Sequence, residues 1–242
     1  MLIIYGTRNA GVVDRCGATY LSTRFFHIYW MPLIPLGTQL VLDEPGGRAV
    51  SVGLSGRSVL AAYLRSWGVV AALAFGAAAL GGVEDFADDP IAVLVPAALA
   101  LASVLGVALS WAVLGRLSAE EKARQLAYET RVGFPVDAAL LGDARMELRG
   151  RLFADVVERA RPFAAVGYRE AMDPTRDWAR IAAAPETNDK QLVHSALTLA
   201  RIEWSLTSGA ERAQWESQHR AIWQQMKALE PGLVEAVSQT TG

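Results

Sequence analysis

Two long stretches of this chain contain no charged side chain, and they constrain its fold more than anything else in it. No Asp, Glu, Lys or Arg occurs between Arg65 and Glu84, nor between Asp89 and Arg116. A spanning helix needs about 20 apolar residues to cross a hydrocarbon core of ~30 Å. The second run, residues 91–115, reaches roughly 37 Å at ~1.5 Å per residue, long enough to cross with tilt. The first, residues 67–83, is short alone, but Val59-Leu60-Ala61-Ala62-Tyr63-Leu64 extends it. Arg65 there is able to snorkel, and Tyr63 and Trp67 suit a membrane interface. The alternative is two buried helices of a soluble core, but core helices of this length nearly always show a polar face, and these carry none. The pattern predicts a transmembrane helical hairpin over about residues 60–83 and 91–115.

The flanks predict its orientation. Arg57 and Arg65 precede the first helix, Arg116, Lys122 and Arg124 follow the second, and the connection Glu84-Asp85-Phe86-Ala87-Asp88-Asp89-Pro90 holds only acids. Basic residues concentrate on the cytoplasmic side of membranes. The expectation is an integral protein of the cytoplasmic membrane, both termini cytoplasmic and the acidic turn outside. Small residues recur every four positions: Gly68, Ala72 and Gly76 in the first run, Ala98, Ala102, Gly106 and Ser110 in the second. Such faces allow close approach of backbones, either within the hairpin or between copies of the chain.

The hydrophobic fraction, 52%, is concentrated in these runs, so most of the remaining chain is expected to face water. A net charge of -2 offers no electrostatic footprint for nucleic acid. The single cysteine, Cys16, excludes an internal disulfide and a thiolate cluster supplied by this chain alone. Residues 1–8 lack the layout of a signal peptide, which leaves the first apolar run to act as the insertion signal.

Residues 1–58 read as a small β-rich cytoplasmic module. Leu2-Ile3-Ile4-Tyr5, Val12-Val13, Ala18-Thr19-Tyr20-Leu21, Gln39-Leu40-Val41-Leu42 and Arg48-Ala49-Val50-Ser51-Val52 are strand candidates, with turns at Asn9-Ala10-Gly11 and Pro45-Gly46-Gly47. At the centre lies Phe25-Phe26-His27-Ile28-Tyr29-Trp30-Met31-Pro32-Leu33-Ile34-Pro35-Leu36-Gly37, too short and too broken by proline to span a bilayer. It reads either as a sheet core ending in an irregular proline turn or as an interfacial patch through Phe25, Phe26, Tyr29, Trp30, Leu33 and Ile34.

The Ile-Ile-Tyr-Gly-Thr start and the Phe-His-Ile-Tyr-Trp-Met-Pro-Leu-Ile-Pro-Leu-Gly core resemble the N-terminal zinc-ribbon-like segment of small bacterial membrane proteins of unknown function. In that family an Ile-Pro-Leu-Ile-Pro-Leu-Gly-like motif sits between two Cys-x-x-Cys knuckles. This chain keeps only Cys16 of the first knuckle and no cysteine of the second. A structural zinc takes four ligands, whereas Cys16 and His27 supply two. The resemblance therefore implies a cysteine-depleted relative held by its apolar core, without metal, and it implies no activity.

From residue 117 onward the sequence predicts a soluble cytoplasmic α-helical bundle. Ser118-Ala119-Glu120-Glu121 is a capping box that starts one helix, which stops near Gly133 and Pro135. Further helices are expected over residues 143–161, from Asp173-Pro174 to Pro185, over 189–206, and over 210–229 after a break at Thr207-Ser208-Gly209. From Arg116 on there are 17 Lys plus Arg and 18 Asp plus Glu, interspersed as on an ordinary soluble surface. Trp178, Trp204, Trp215 and Trp223 offer either core packing or a groove for a partner helix.

No sequence feature points to catalysis. His194 and His219 have no second histidine four residues away, and there is no P-loop, no Gly-x-Gly-x-x-Gly and no Gly-x-Ser-x-Gly. The expectation is a mainly α membrane protein with no cofactor, metal or catalytic residue to name. It would serve as an anchored interaction or scaffold protein whose partners are the lipid bilayer and either another protein or a second copy. The alternative is a membrane-bound enzyme or enzyme subunit with a site at the junction of the cytoplasmic modules.

Overall fold

Four strands open the chain: β1 (Tyr5–Cys16), β2 (Thr19–Ile28), β3 (Met31–Asp43) and β4 (Arg48–Val52). They form an antiparallel meander in chain order. The computed structural model describes residues 4–16, 19–43, 48–85, 89–164 and 172–239. The expected strand at residues 2–5 and the turn at 45–47 lie wholly or partly outside these, as does Ala18.

The strands are longer than the sequence predicts, for two reasons. Asn9-Ala10-Gly11 is not a turn but part of a bulge inside β1, where the pairing with β2 shifts between Ala10 and Val13. Gly11 at φ 70 and Asp14 at φ 53 take up the irregularity. The segment with Pro32 and Pro35 is likewise strand, with pairing shifts opposite each proline. β4 pairs with β3 only from Thr38 onward. Residues 31–37 thus form a free edge, where the missing proline N–H breaks no ladder.

Helix α1 (Gly56–Gly81) follows and packs its first turns on the sheet, burying Ser58, Ala61 and Ala62. A 3-10 turn, Val83–Asp85, precedes α2 (Pro90–Leu109), which packs along α1 and continues as a π-turn, Ser110–Leu114. Both helices are long and apolar enough to cross a membrane. α2 buries no residue, and the outward side chains include Leu73, Leu80, Ile91 and Leu101. The sheet and the hairpin form one compact unit, Met1–Leu117.

The second unit, Ser118–Gly242, contains α3 (Ala119–Val132), α4 (Ala144–Ala160), α5 (Pro174–Ala182), α6 (Lys190–Leu206), α7 (Gly209–Leu229) and α8 (Leu233–Gln239). The capping box at Ser118 forms, with Glu121 reaching back to the Ser118 N–H, and Gly133 ends α3 at φ 92. α6 is central, packing against α3, α4, α5 and α7. Leu192, Leu197, Leu199 and Ile202 on α6 meet no solvent, nor do Ile222 and Met226 on α7. Short α8, which packs on α3, has no expectation to match it in the sequence.

Candidate functional site at the root of the helical hairpin

α1 leaves the sheet through a chain of buried hydroxyls. Ser55 caps the helix, its side chain accepting from the Ser58 N–H, and its own N–H donates to Thr38 Oγ1 at 2.9 Å. Thr38 and Thr23 hydroxyls lie 2.9 Å apart, Thr23 donates to Ser58 Oγ at 2.8 Å, and Ser58 donates to the Gly11 carbonyl at 2.6 Å. If Thr38 donates to Thr23, each of these three hydroxyls gives one proton and accepts one. That leaves none of the three hydroxyls unsatisfied, and each bond contributes about 1 kcal/mol net. Gly11 makes the approach feasible, because a Cβ there would lie 2.0 Å from the Ser58 carbonyl oxygen.

Two turns further, Arg65 ties three elements together. Its guanidinium donates to the Val12 carbonyl of β1 at 2.8 Å, to the Ser110 carbonyl at 2.9 Å and to Ser110 Oγ at 3.3 Å. It also stacks 3.9 Å from the Trp111 ring centre. The Ser110 carbonyl accepts the Gly115 N–H as well, at 3.1 Å, the five-residue spacing of a π-turn. A side chain inserted at a carbonyl is one cause of such widening. Arg65, expected to snorkel, spends its donors on a sheet carbonyl and on Ser110.

Tyr63 and Trp67 face the free edge of β3, where the Tyr63 hydroxyl donates to the Leu33 carbonyl at 2.6 Å and Trp67 Nε1 to the Pro32 carbonyl at 3.1 Å. Phe25 belongs to the core, in edge contact with Tyr63 at 5.6 Å, so the pleat removes it from the expected interface patch. Phe26 and Leu33 are half-buried, while Tyr29, Trp30 and Ile34 are exposed, joined by Ile4, Tyr5 and Leu36, which the sequence reading missed. Cys16 pairs with Thr19 and His27 with Gly6, at opposite ends of the β1–β2 ladder. Eight residues at ~3.3 Å each separate them by roughly 27 Å, so they cannot share an ion.

Along the hairpin, a Cβ on Gly68 would lie 2.7 Å from Val107, and one on Gly82 would lie 3.2 Å from Val93. Gly106 sits beside Leu64, and Ser110 is buried. Gly76 meets nothing within 4 Å. Ala98 and Ala102 are exposed. They do not pack within the hairpin, because α2 turns Val93, Ser103 and Val107 toward α1 instead. Ala72 lines a shallow apolar groove of about 350 Å³ with Val69, Leu73, Val104, Val107 and Ala108.

The second unit has a buried polar centre of its own. His219 Nε2 and the Tyr128 hydroxyl lie 2.7 Å apart. Burial, reinforced by the charges of Arg201 and Arg124, lowers the His219 pKa from 6.5 to about 3. Burial also pushes the Tyr128 phenol well above its usual range. Burial alone would raise the Asp137 carboxyl, but hydrogen bonds and charge from Arg201 hold it below its usual value. Arg201 Nε donates to Asp137 at 2.8 Å. His194 lies outside this centre, with Nδ1 3.1 Å from the Ala127 carbonyl and Nε2 3.5 Å from Glu230. Trp178 and Trp223 are core side chains, Trp215 stacks on Trp178 at 5.5 Å, and Trp204 lies between Arg201 and Arg212.

No known protein family, functionally described protein or solved structure matches this chain.

Proposed function

We propose that this chain is a membrane-anchored interaction protein: a helical hairpin crosses the cytoplasmic membrane and holds a small sheet and a helical bundle on its cytoplasmic side. The observation that carries the reading is the outward apolar surface of α1 and α2, where no residue of α2 is buried. A pair of helices that exposes Leu73, Leu80, Ile91 and Leu101 together needs an apolar solvent. The basic flanks at Arg57, Arg65, Arg116, Lys122 and Arg124 support the orientation.

The mechanism is binding at a surface. Anchoring confines the sheet and the bundle to the bilayer plane and raises their effective concentration toward a protein partner or a second copy. The centre of the bundle supports a scaffold over a catalyst, since His219 spends its Nε2 on Tyr128 inside the core. On the same reading, residues 2–37 are a metal-free version of the ribbon-like segment they resemble, held by hydroxyls and apolar packing.

Two measurements test it. Protease added to intact spheroplasts should leave the bundle uncut, and cleavage there only from outside would overturn the orientation. Crosslinking in membranes followed by pulldown should recover a discrete, stoichiometric partner or a dimer of this chain. Recovery of monomer alone at every crosslinker length would overturn the scaffold role.

A further inference from the structure

We propose that the β2–β3 hairpin tip, Tyr29-Trp30, with the adjoining start of β1, dips into the headgroup–acyl boundary of the bilayer beside α1; this rests on the membrane reading above. The depth follows from how β3 and α1 run side by side in opposite chain directions. Thr38 contacts Ser55, Leu33 contacts Tyr63 and Pro32 contacts Trp67. Twelve helical residues from Ser55 to Trp67 rise about 18 Å, and six strand residues from Thr38 to Pro32 span about 20 Å. The two therefore keep pace toward the membrane. Tyr29 and Trp30 form the turn beyond the Ile28–Met31 pair, about two residue rises past Pro32, which carries them roughly 7 Å past Trp67 along the hairpin. Trp67, Trp111 and Arg65 together mark the polar boundary, as tryptophans and basic residues do in spanning helices. A surface element held there sinks ~5–10 Å into the headgroup–acyl boundary, the same depth.

The chemistry of the sheet agrees. Its membrane-proximal end is uncharged: no charged side chain occurs between Arg24 and Asp43, or from Ile4 to Thr7. Ile4, Tyr5, Tyr29, Trp30 and Ile34 are exposed there, Tyr5 at 71% and Trp30 at 55%. The opposite end holds Asp14, in an ion pair with Arg57 at 3.3 Å. Tyr29 sits at φ 54, a conformation that glycine or asparagine adopts far more readily than an aromatic residue. Its N–H donates to the Ile4 carbonyl at 2.6 Å, which binds β1 to the tip. An aromatic side chain kept at a strained turn, beside a second exposed aromatic, fits a role for the rings at a lipid interface.

The test uses the full chain in liposomes of phosphatidylethanolamine and phosphatidylglycerol, with Cys16→Ala and one introduced cysteine carrying an environment-sensitive fluorophore. Labels go at the tip (Trp30→Cys, and independently Ile34→Cys), on α2 (Leu101→Cys) and on β4 (Ser51→Cys). Quenching by nitroxide on the upper acyl chain is compared with quenching by aqueous iodide. The tip labels should be blue-shifted and quenched several-fold more by the lipid nitroxide, with the reverse at position 51. Tip labels that behave like position 51, while position 101 reads lipid, would overturn the inference and leave the anchor intact. Iodide-accessible labels at 101 as well as at the tip would overturn both.

Discussion

The two units invert each other. In the second, Leu192, Leu197, Leu199 and Ile202 of α6 and Ile222 of α7 meet no solvent, and the charged groups lie around them in pairs such as Arg149–Glu203 and Arg159–Asp155. In the first, the contact between sheet and helix joins apolar groups, with Phe25 on Tyr63 and with Ala61 and Ala62 buried, to a buried polar set of Ser55, Ser58, Thr23, Thr38, Gly11 and Arg65, while long apolar side chains farther along α1 and on α2 point outward. A protein in water gains most of its stability by hiding apolar surface. Within a membrane that driving force between helices vanishes, and close packing and hydrogen bonds take its place. On the proposed reading, the difference reflects the solvent each unit is composed for.

The comparison breaks most readily at the largest side chain of the bundle core. Trp223 is 1% exposed, and its Nε1 donates to Glu120 at 2.7 Å. Trp223→Ala should cost the second unit about 3–5 kcal/mol, read as faster hydrogen exchange across residues 190–229 with β1–β3 unchanged. Next comes Gly11→Ala, where the new methyl meets the Ser58 carbonyl and a left-handed φ at once. A loss of about 2–4 kcal/mol is expected, confined by the same measurement to β1 and the start of α1. Arg65→Met keeps the length and removes the donors, taking one bond from the Val12 carbonyl and leaving the Ser110 carbonyl with the Gly115 N–H. It should cost about 2 kcal/mol and restore ordinary helical exchange at Gly115.

A pH dependence belongs to the second unit. An unfolded chain protonates His219 near pH 6.5, whereas the folded core resists until about pH 3. The unfolded state therefore binds the extra proton between these values. The contribution is complete above pH 6.5 and is lost as pH falls, at up to about 1.4 kcal/mol per pH unit. His219→Gln should flatten the slope of the unfolding midpoint between pH 6 and 4, and an unchanged slope would assign it elsewhere.

What the sequence made legible follows the range of the interactions. The hairpin could be read because its signal is the absence of charge over whole helices. The helices of the second unit could be read because caps at Ser118, Asp173 and Asp189 act within three residues. The strands were misjudged where glycine and proline, ordinary turn formers, sit instead at a bulge in β1 and on the free edge of β3. Arg65 reads as a flanking charge, since its acceptors on Val12 and Ser110 lie 53 and 45 residues away. Tyr128 and His219 are 91 residues apart, and nothing local in either pairs them. Ala98 and Ala102 share the spacing of a packing face, but a repeat of small residues does not say which side of the helix meets its neighbour.

The central claim is that α1 and α2 take lipid as their solvent, and alkaline carbonate extraction of membranes from cells making the full chain tests it most directly. Retention in the membrane pellet at high pH, as for an integral protein, is the predicted result. Release into the soluble fraction would contradict the account.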